Sequence, residues 1–371
     1  MSAPAYFLGL ISGTSLDGID AAILAVEGDD LSVLASHGEP YPTQLRDQLR
    51  TLCQPGNNEI EQLGIADREV GRHFAAAALG LIERTGLAPE AITAIGSHGQ
   101  TLRHRPEGNN AFTLQIGDPN TIAELTGITT VADFRRRDIA AGGQGAPLAP
   151  GFHRAAFAKA HVNTAVVNVG GIANITLLSE HGATLGFDTG PGNTLMDAWI
   201  GKQRQQAYDK NGDWARQGSI VPALLSAFLE DPYFAQAAPK STGPEYFSPH
   251  WLEQILSSFG DVEACDVQRT LLELTAQSIA NAITDAAVMS DATQLAVCGG
   301  GAHNGLLMER LASRLPALSV QDTGALGIHP DWVEAACFAW LAAQTLAGKA
   351  GNEPRVTGAC DYRVLGAIYP A

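Results

Sequence analysis

Residues 6–25 read YFLGLISGTSLDGIDAAILA. Two apolar runs, Tyr6–Ile11 and Ile19–Val26, flank the polar turn Ser12-Gly13-Thr14-Ser15-Leu16-Asp17-Gly18. Apolar run, turn and apolar run at this length predict a β-hairpin. The turn carries two glycines, three hydroxyls and a carboxylate. Glycine lets backbone N–H groups come close to an anion, and hydroxyls add donors. A carboxylate among such donors suits Mg²⁺, which takes oxygen ligands and keeps several waters. The turn therefore reads as a grip for a nucleotide triphosphate. The alternative is a tight turn whose Ser, Thr and Asp satisfy only their own backbone.

The same unit recurs. Thr164–Val169, the turn 170–174 and Ile175–Leu178 form a second hairpin, and the leading glycines, Gly13 and Gly170, lie 157 residues apart. In both places a third strand follows, at Leu31–His37 and at Ala183–Phe187. A hairpin-led half repeated once predicts a duplicated α/β domain. We place the halves at 1–133 with about 331–371, and at 134–330, with the boundary before the Gly-rich segment 141–148.

Between these anchors, helices are expected over Thr43–Cys53, Asn58–Thr85, Asp266–Val288, Leu306–Leu315 and Trp332–Ala347, and strands over Ala91–Ser97, Thr113–Ile116, Thr129–Ala132 and Gln294–Cys298. Asp331 and Glu334 have capping-box spacing at the start of the last helix, and Gly348 stands at its stop. The strand at Ala91–Ser97 should end in the polar cluster 97–101, and Asp188 should follow its strand, both at carboxyl ends where open α/β sheets place ligands.

Composition narrows the function. The 371 residues hold 23 Lys and Arg against 39 Asp and Glu, a net charge of −16. That balance argues against nucleic-acid and anionic-membrane partners. Five scattered cysteines without a C-x-x-C pair support neither a disulfide framework nor a zinc ribbon. The start, MSAPAYFLGL, lacks the n- and h-regions of a signal peptide, so a reducing cytoplasm is expected. Neither a P-loop nor a G-x-G-x-x-G fingerprint occurs. Three Gly-rich turns follow apolar strands, at Gly13, at Gly170-Gly171 and at Gly299–Gly301. Asp188 could serve as a general base. Asp188-Thr-Gly and Asp322-Thr-Gly match the aspartic-protease triplet, but the Ala-rich helices oppose a β-barrel protease. Arg135–Arg137 could clamp a carboxylate or phosphate, or pair with Asp133 and Asp138. His98 could bond a ligand or sit in the core.

Taken together, SGTSLDGID (Ser12–Asp20), IGSHGQT (Ile95–Thr101), FRRRDIAAGGQGAPL (Phe134–Leu148), NVGGIANIT (Asn168–Thr176), FDTGPGNTLMDAW (Phe187–Trp199), PKSTG (Pro239–Gly243), CGGGAHN (Cys298–Asn304) and the terminal LGAIYP resemble the anhydro-N-acetylmuramic acid kinases along essentially the whole chain. The resemblance implies the actin-like, ribonuclease H-like ATPase fold of hexokinase type, with two domains about a central cleft. It implies ATP-dependent phosphorylation of O6 of 1,6-anhydro-N-acetylmuramic acid, with water opening the anhydro bridge at C1. It further implies a small-molecule partner only, neither nucleic acid nor membrane, and a homodimer. By position it assigns Ser12, Gly13, Thr14, Ser15, Leu16, Asp17, Gly18, Ile19, Gly170, Gly171, Asn174, Gly299, Gly300, Gly301 and Asn304 to ATP. Asp17 would hold Mg²⁺ through water, and Asp188 would be the base. His98, Thr101, Arg137 and Glu334 would meet the sugar. Two other readings stay open: a kinase of an ordinary sugar hydroxyl, and an ATP-gated scaffold.

Overall fold

The computed structural model describes residues 4–13, 15–158, 162–182, 184–238, 240–286 and 292–371. The chain runs β1 (Ala5–Ser12), β2 (Gly18–Glu27), β3 (Asp30–Pro40), α1 (Thr43–Leu52), α2 (Glu59–Thr85), β4 (Ile92–Arg105), β5 (Phe112–Ile116), α3 (Pro119–Thr126), β6 (Thr130–Ala132), α4 (Arg136–Ala140) and α5 (Ala149–Phe157). It continues with β7 (Thr164–Val169), β8 (Ile172–Leu178), β9 (Thr184–Pro191), α6 (Thr194–Arg204), α7 (Pro222–Leu229), α8 (Pro249–Leu256), α9 (Ala264–Thr284), β10 (Gln294–Cys298), α10 (Gly305–Arg314) and β11 (Ser319–Asp322). It ends with α11 (Val333–Leu346), α12 (Pro354–Thr357) and β12 (Ala367–Tyr369). Two compact units result, Met1–Ala156 with Trp332–Ala371, and Phe157–Asp331.

Each unit is built on the same sheet plan. In the first, β1, β2 and β3 form an antiparallel meander, and β4 joins the free edge of β1 in parallel, followed by β6. In the second, β7, β8 and β9 form the meander, and β10 and β11 add in parallel beyond β7. A meander extended by parallel strands, made twice in one chain, is the ribonuclease H-like sheet of the actin-like ATPase fold. All six residues of β7 (TAVVNV) are buried, as a strand covered on both faces requires. Local signals set the helix ends. Asp118 accepts from Asn120 N and Thr121 N to start α3, and Gly86 stops α2 with φ 71°. Among the described residues no helix is long and apolar enough to cross a membrane.

In the first unit, α11 lies directly on the sheet. A Cβ on Gly9 would fall 1.8 Å from the Ala335 carbonyl oxygen, and one on Gly96 2.0 Å from that of Phe338. These two glycines let the helix backbone touch β1 and β4, and its small buried residues Ala335, Ala339 and Ala342 complete the contact. The opposite core gathers Leu8, Leu10, Ile23, Val70, Phe74 and Ile95.

Three differences from the sequence reading have physical causes. The segment 134–156, assigned there to the second half, belongs with the first unit. Asp138 is fully buried and accepts from Gly145 N, Asn352 Nδ2 and Thr357 Oγ1, all at 2.8 Å. Next, β4 runs on to Arg105 instead of ending at Ser97, because β5 pairs with its outer half. Last, Trp332 is the N-cap of α11 and its side chain makes no capping bond, while Asp331 Oδ1 instead meets His303 Nε2 at 2.6 Å. The second unit also carries a buried ion cluster. Glu273, with no exposed side-chain surface, accepts from Arg310 and Arg314 of α10, which hold its carboxyl below the usual range.

The glycine contact gives the first prediction. Gly9→Ala should destabilise the chain by about 1–3 kcal/mol, the usual cost of overpacking a tight core. The check is the urea midpoint, and an unchanged midpoint would remove α11's close approach.

Candidate functional site

The β1–β2 turn is anchored from below. Ser12 is buried, and its hydroxyl donates to Gln100 Oε1 at 2.6 Å. Gln100 Nε2 donates to the Gly13 carbonyl at 3.1 Å. Leu16 N reaches back to Gly13 O at 3.4 Å, and Tyr41 N bonds Asp17 O at 3.1 Å. Leu16 and Ile19 are core residues at 6% and 1% exposure, so of the expected nucleotide set these two can offer only backbone. Thr14 lies outside the described residues. Ser15 and Asp17 are exposed, and Ser15 Oγ donates to Asp17 Oδ1 at 2.7 Å. Among the described residues no three His, Cys, Asp or Glu side chains gather to hold a metal. A single exposed carboxylate fits Mg²⁺ that is held mainly by phosphate oxygens and water.

The glycines of the three turns divide into two classes. A Cβ on Gly13, Gly170, Gly171 or Gly300 would meet nothing nearer than 3.7, 3.7, 3.8 and 3.6 Å, and none of the four has a positive φ. Among the described residues, nothing in the packing demands glycine there. A backbone left bare without internal need is what close approach to a ligand requires. By contrast, Gly18 would strike the Glu39 carbonyl at 2.4 Å, and Gly301 would strike Val169 Cγ1 at 2.4 Å. Gly299 has φ 74° and would meet Asn168 Oδ1 at 2.2 Å. These three serve the fold.

In the second unit the Gly170-Gly171 carbonyls accept from Gly192, Asn193 and Thr194 N–H groups at 2.8–3.1 Å, which fixes the turn on the start of α6. The turn is only two residues long. Asn174, expected within it, lies in β8 opposite Asn168 and Asp188. Asn168 Oδ1 is buried beside this turn without a hydrogen-bond partner among the described residues, an acceptor the sequence reading missed. Asn304 caps α10 by accepting from Leu307 N at 3.1 Å, so its side-chain oxygen is already used.

Asp188 lies inside β9, not after it. Its N–H donates to Lys240 O at 3.1 Å, its carbonyl accepts from Tyr233 OH at 2.7 Å, and its Oδ2 accepts from Thr242 N at 2.9 Å. Burial pushes its carboxyl up to about 6, against the lowering pull of the Thr242 N–H. Lys240 directs Nζ at the Tyr233 and Phe234 carbonyls and sits 4.7 Å from the Tyr233 ring centroid. Tyr233, Lys240 and Thr242 were not singled out from sequence, although the PKSTG stretch holds two of them.

On the first unit, Thr101 sits in β4, and its Oγ1 accepts from Gln115 Nε2 at 3.1 Å. His98 is not free to meet a ligand. Its Nδ1 faces Gly99 O at 2.9 Å, its Nε2 accepts from Arg135 Nε at 3.0 Å, and its ring packs 4.6 Å from Phe338. Burial first, and then Arg135, hold it neutral, well below its ordinary pKa. The three arginines separate by role. Arg135 binds His98 and the Gly145 carbonyl, and Arg136 pairs with Asp133 at 3.3 Å. Arg137 is exposed with no side-chain bond among the described residues. Burial lowers the Arg135 pKa, and Glu334, exposed in the first turn of α11, opposes part of that shift. A cavity of about 330 Å³ in the first unit, between α2 and the sheet, is lined by Asp67, Ser97, His98, Asp133, Arg136 and Tyr369, and excludes Thr101, Arg137 and Glu334.

The family profile for anhydro-N-acetylmuramic acid kinase matches residues 5–371. An anhydro-N-acetylmuramic acid kinase of Shewanella pealeana is 52% identical over 367 residues, covering 99% of both chains. One of Shewanella oneidensis is 50% identical over 368 residues, again covering 99% of both. Among solved structures, (R)-2-hydroxyglutaryl-CoA dehydratase component A of Acidaminococcus fermentans aligns with 91% of this chain and 99% of its own, at TM-score 0.47 and 12% identity. With half its residues shared across nearly its full length, the chain belongs to the anhydro-N-acetylmuramic acid kinase family and is a phosphotransferase acting on an alcohol group.

Proposed function

We propose that this kinase uses Mg²⁺-ATP to phosphorylate O6 of 1,6-anhydro-N-acetylmuramic acid while water opens the anhydro ring, in cytoplasmic recycling of cell-wall sugar. Asp188 takes a proton from the water that attacks C1. The C1–O6 bond breaks, O6 keeps the bonding electrons, and it accepts the γ-phosphoryl group as ADP leaves. The products are N-acetylmuramic acid 6-phosphate and ADP. O6 is released as an oxyanion, so no second base is needed there. The rest of the barrier falls by positioning and charge stabilisation, as in phosphoryl transfer generally. Mg²⁺ supplies charge neutralisation for the phosphates, with Asp17 as its carboxylate partner through water. Gly13, Gly170, Gly171 and Gly300 present bare backbone to the nucleotide. Thr101, Arg137 and Glu334 hold the sugar, and the cationic Arg137 suits a carboxylate.

The observation that carries the base assignment is Asp188 itself, a shielded carboxyl near pKa 6 with one oxygen fixed by a backbone N–H. A base poised just below neutral pH is charged in the cell and still basic enough to accept a proton. Turnover in ¹⁸O-labelled water tests the reaction. Label should appear at C1 of the sugar phosphate; label-free product would favour a kinase of an ordinary hydroxyl.

Asp188 yields a prediction with opposite signs for activity and stability. As a base it works when deprotonated, so kcat/KM should fall as pH drops through about 6. For stability, a carboxyl raised on folding binds more protons in the native state, so stability declines as pH rises from the unfolded value of 3.8 through about 6. Asp188→Asn should therefore abolish turnover yet melt no lower than the parent at pH 7–8. Retained kcat would remove the base role, and a lower melting temperature would contradict the burial cost.

The glycine classes yield another. Gly170→Ala should change stability by less than about 0.5 kcal/mol, as a surface change does, while raising the KM for ATP at least about tenfold, roughly 1.4 kcal/mol. Gly299→Ala should instead lower the melting temperature through its positive φ. Steady-state kinetics beside thermal melts check both, and equal ATP affinity in Gly170→Ala would clear that turn of nucleotide.

A further inference from the structure

Gln100 was assigned no role by the sequence, yet it occupies a singular place in the first unit. It has no exposed surface, and its one side-chain amide makes three hydrogen bonds. Oε1 accepts from Ser12 Oγ at 2.6 Å, and Nε2 donates to the carbonyls of Gly13 at 3.1 Å and of Thr101 at 3.2 Å. The ladder explains the placement. β1 and β4 run parallel in regular register from Phe7↔Ala94 to Leu10↔Ser97, then shift, so that Ser12 stands opposite Gln100. Where the backbone pairing slips, the amide takes over as the link between the strands.

The two carbonyls that Nε2 binds belong to residues with different tasks. Gly13 lies in the bare-backbone turn assigned to phosphate, and Thr101 lies on the strand assigned to sugar. Thr101 is held from its other side by Gln115 Nε2 on its Oγ1. A phosphate that shifts the Gly13 peptide must shift or strain Gln100, and the next group on the same nitrogen is the Thr101 peptide. A buried amide with both N–H groups bonded has no solvent to absorb such a change.

We propose that Gln100 is a positioning residue that couples the nucleotide turn to the sugar-side strand, so that occupancy of one changes affinity for the other. The inference rests on the phosphate and sugar placements given above. Coupling of this kind is a single number, the factor by which one ligand changes the other's dissociation constant, and it must be the same in both directions.

The experiment is calorimetry on the full chain with the anhydro sugar and a non-hydrolysable ATP analogue, each alone and each in the presence of the other. The parent should show a factor of about fivefold or more, at the low end of known couplings. Gln100→Met keeps the length and loses all three bonds. Its factor should fall to one while each ligand alone binds within about threefold of the parent. A general loss of structure would move the separate constants, not the factor. Ser12→Ala removes one bond and should give an intermediate factor, which decides the matter should Gln100→Met not fold. A factor of one in the parent, or a parental factor in a folded Gln100→Met, overturns the proposal. Thr101→Ala tests the underlying placement separately. Unchanged sugar affinity there removes Thr101 from the sugar and the proposal with it, whereas a loss there beside intact coupling in Gln100→Met overturns only the assignment to Gln100.

Discussion

The backbone of α11 rests on β1 and β4 without side chains between them, and the first unit depends on that contact. Gly9 and Gly96 are where it occurs. The helix comes from the far end of the sequence, after the whole second unit, so the first unit is completed only when residues 333–346 return to it. Two consequences reach the chemistry. Glu334 arrives at the start of this helix, where its charge partly offsets the burial that lowers the Arg135 pKa. Phe338, one turn on, packs against both His98 and Phe134. The helix thus fixes the ring that accepts from Arg135. One close backbone contact, permitted by two absent methyl groups, positions Glu334 and the packing around His98 and Arg135.

Glycine does two different jobs in this chain, and only geometry separates them. Gly9, Gly18, Gly96, Gly299 and Gly301 are bare because the protein would collide with itself. Gly13, Gly170, Gly171 and Gly300 face room that no part of the described structure needs. Selection for packing explains the first group and cannot explain the second. In the motif CGGGAHN the two kinds stand side by side, with Gly300 free between two neighbours that the fold requires. A Gly-rich turn is therefore not evidence of a ligand residue by residue.

Much of the fold was legible because its signals are local. The two hairpins, the third strand after each, α2 with its Gly86 stop and the strand Gln294–Cys298 all follow from apolar runs and turn chemistry within a few residues. What was not legible depends on partners far along the chain. The segment 134–156 joins the first unit through Asp138, whose partners Asn352 and Thr357 lie 214 and 219 residues away. The outer half of β4, HGQTLRHR, has no apolar alternation and is a strand only because β5 lies beside it. Asp331 and Glu334 have the spacing of a cap, but His303 takes the Asp331 carboxylate first. For the candidate site, the motifs pointed to the Gly-rich turns and to Asp188. The groups that hold them, the Gln100 amide, the Tyr233 hydroxyl and the Thr242 backbone N–H, were hidden. Each acts through a hydrogen bond to a residue 45 to 88 positions distant.

The surroundings of Asp188 show what kind of support the proposed base has. A carboxylate is most simply steadied by a cation, and Lys240 is near enough to supply its carbonyl to the Asp188 N–H. Its ammonium is turned away, onto the Tyr233 and Phe234 carbonyls and over the Tyr233 ring. The forces on the Asp188 carboxyl are accordingly burial, which raises its pKa, and one neutral N–H, which lowers it less. An ion pair at this position would have pulled the pKa down by one to three units, to a value at which the carboxylate is a weak base. Spending the lysine on the loop's backbone holds Thr242 N in place without that loss. The loop thereby gives the carboxylate a direction and leaves it its basicity, which is the combination that proton removal from water requires.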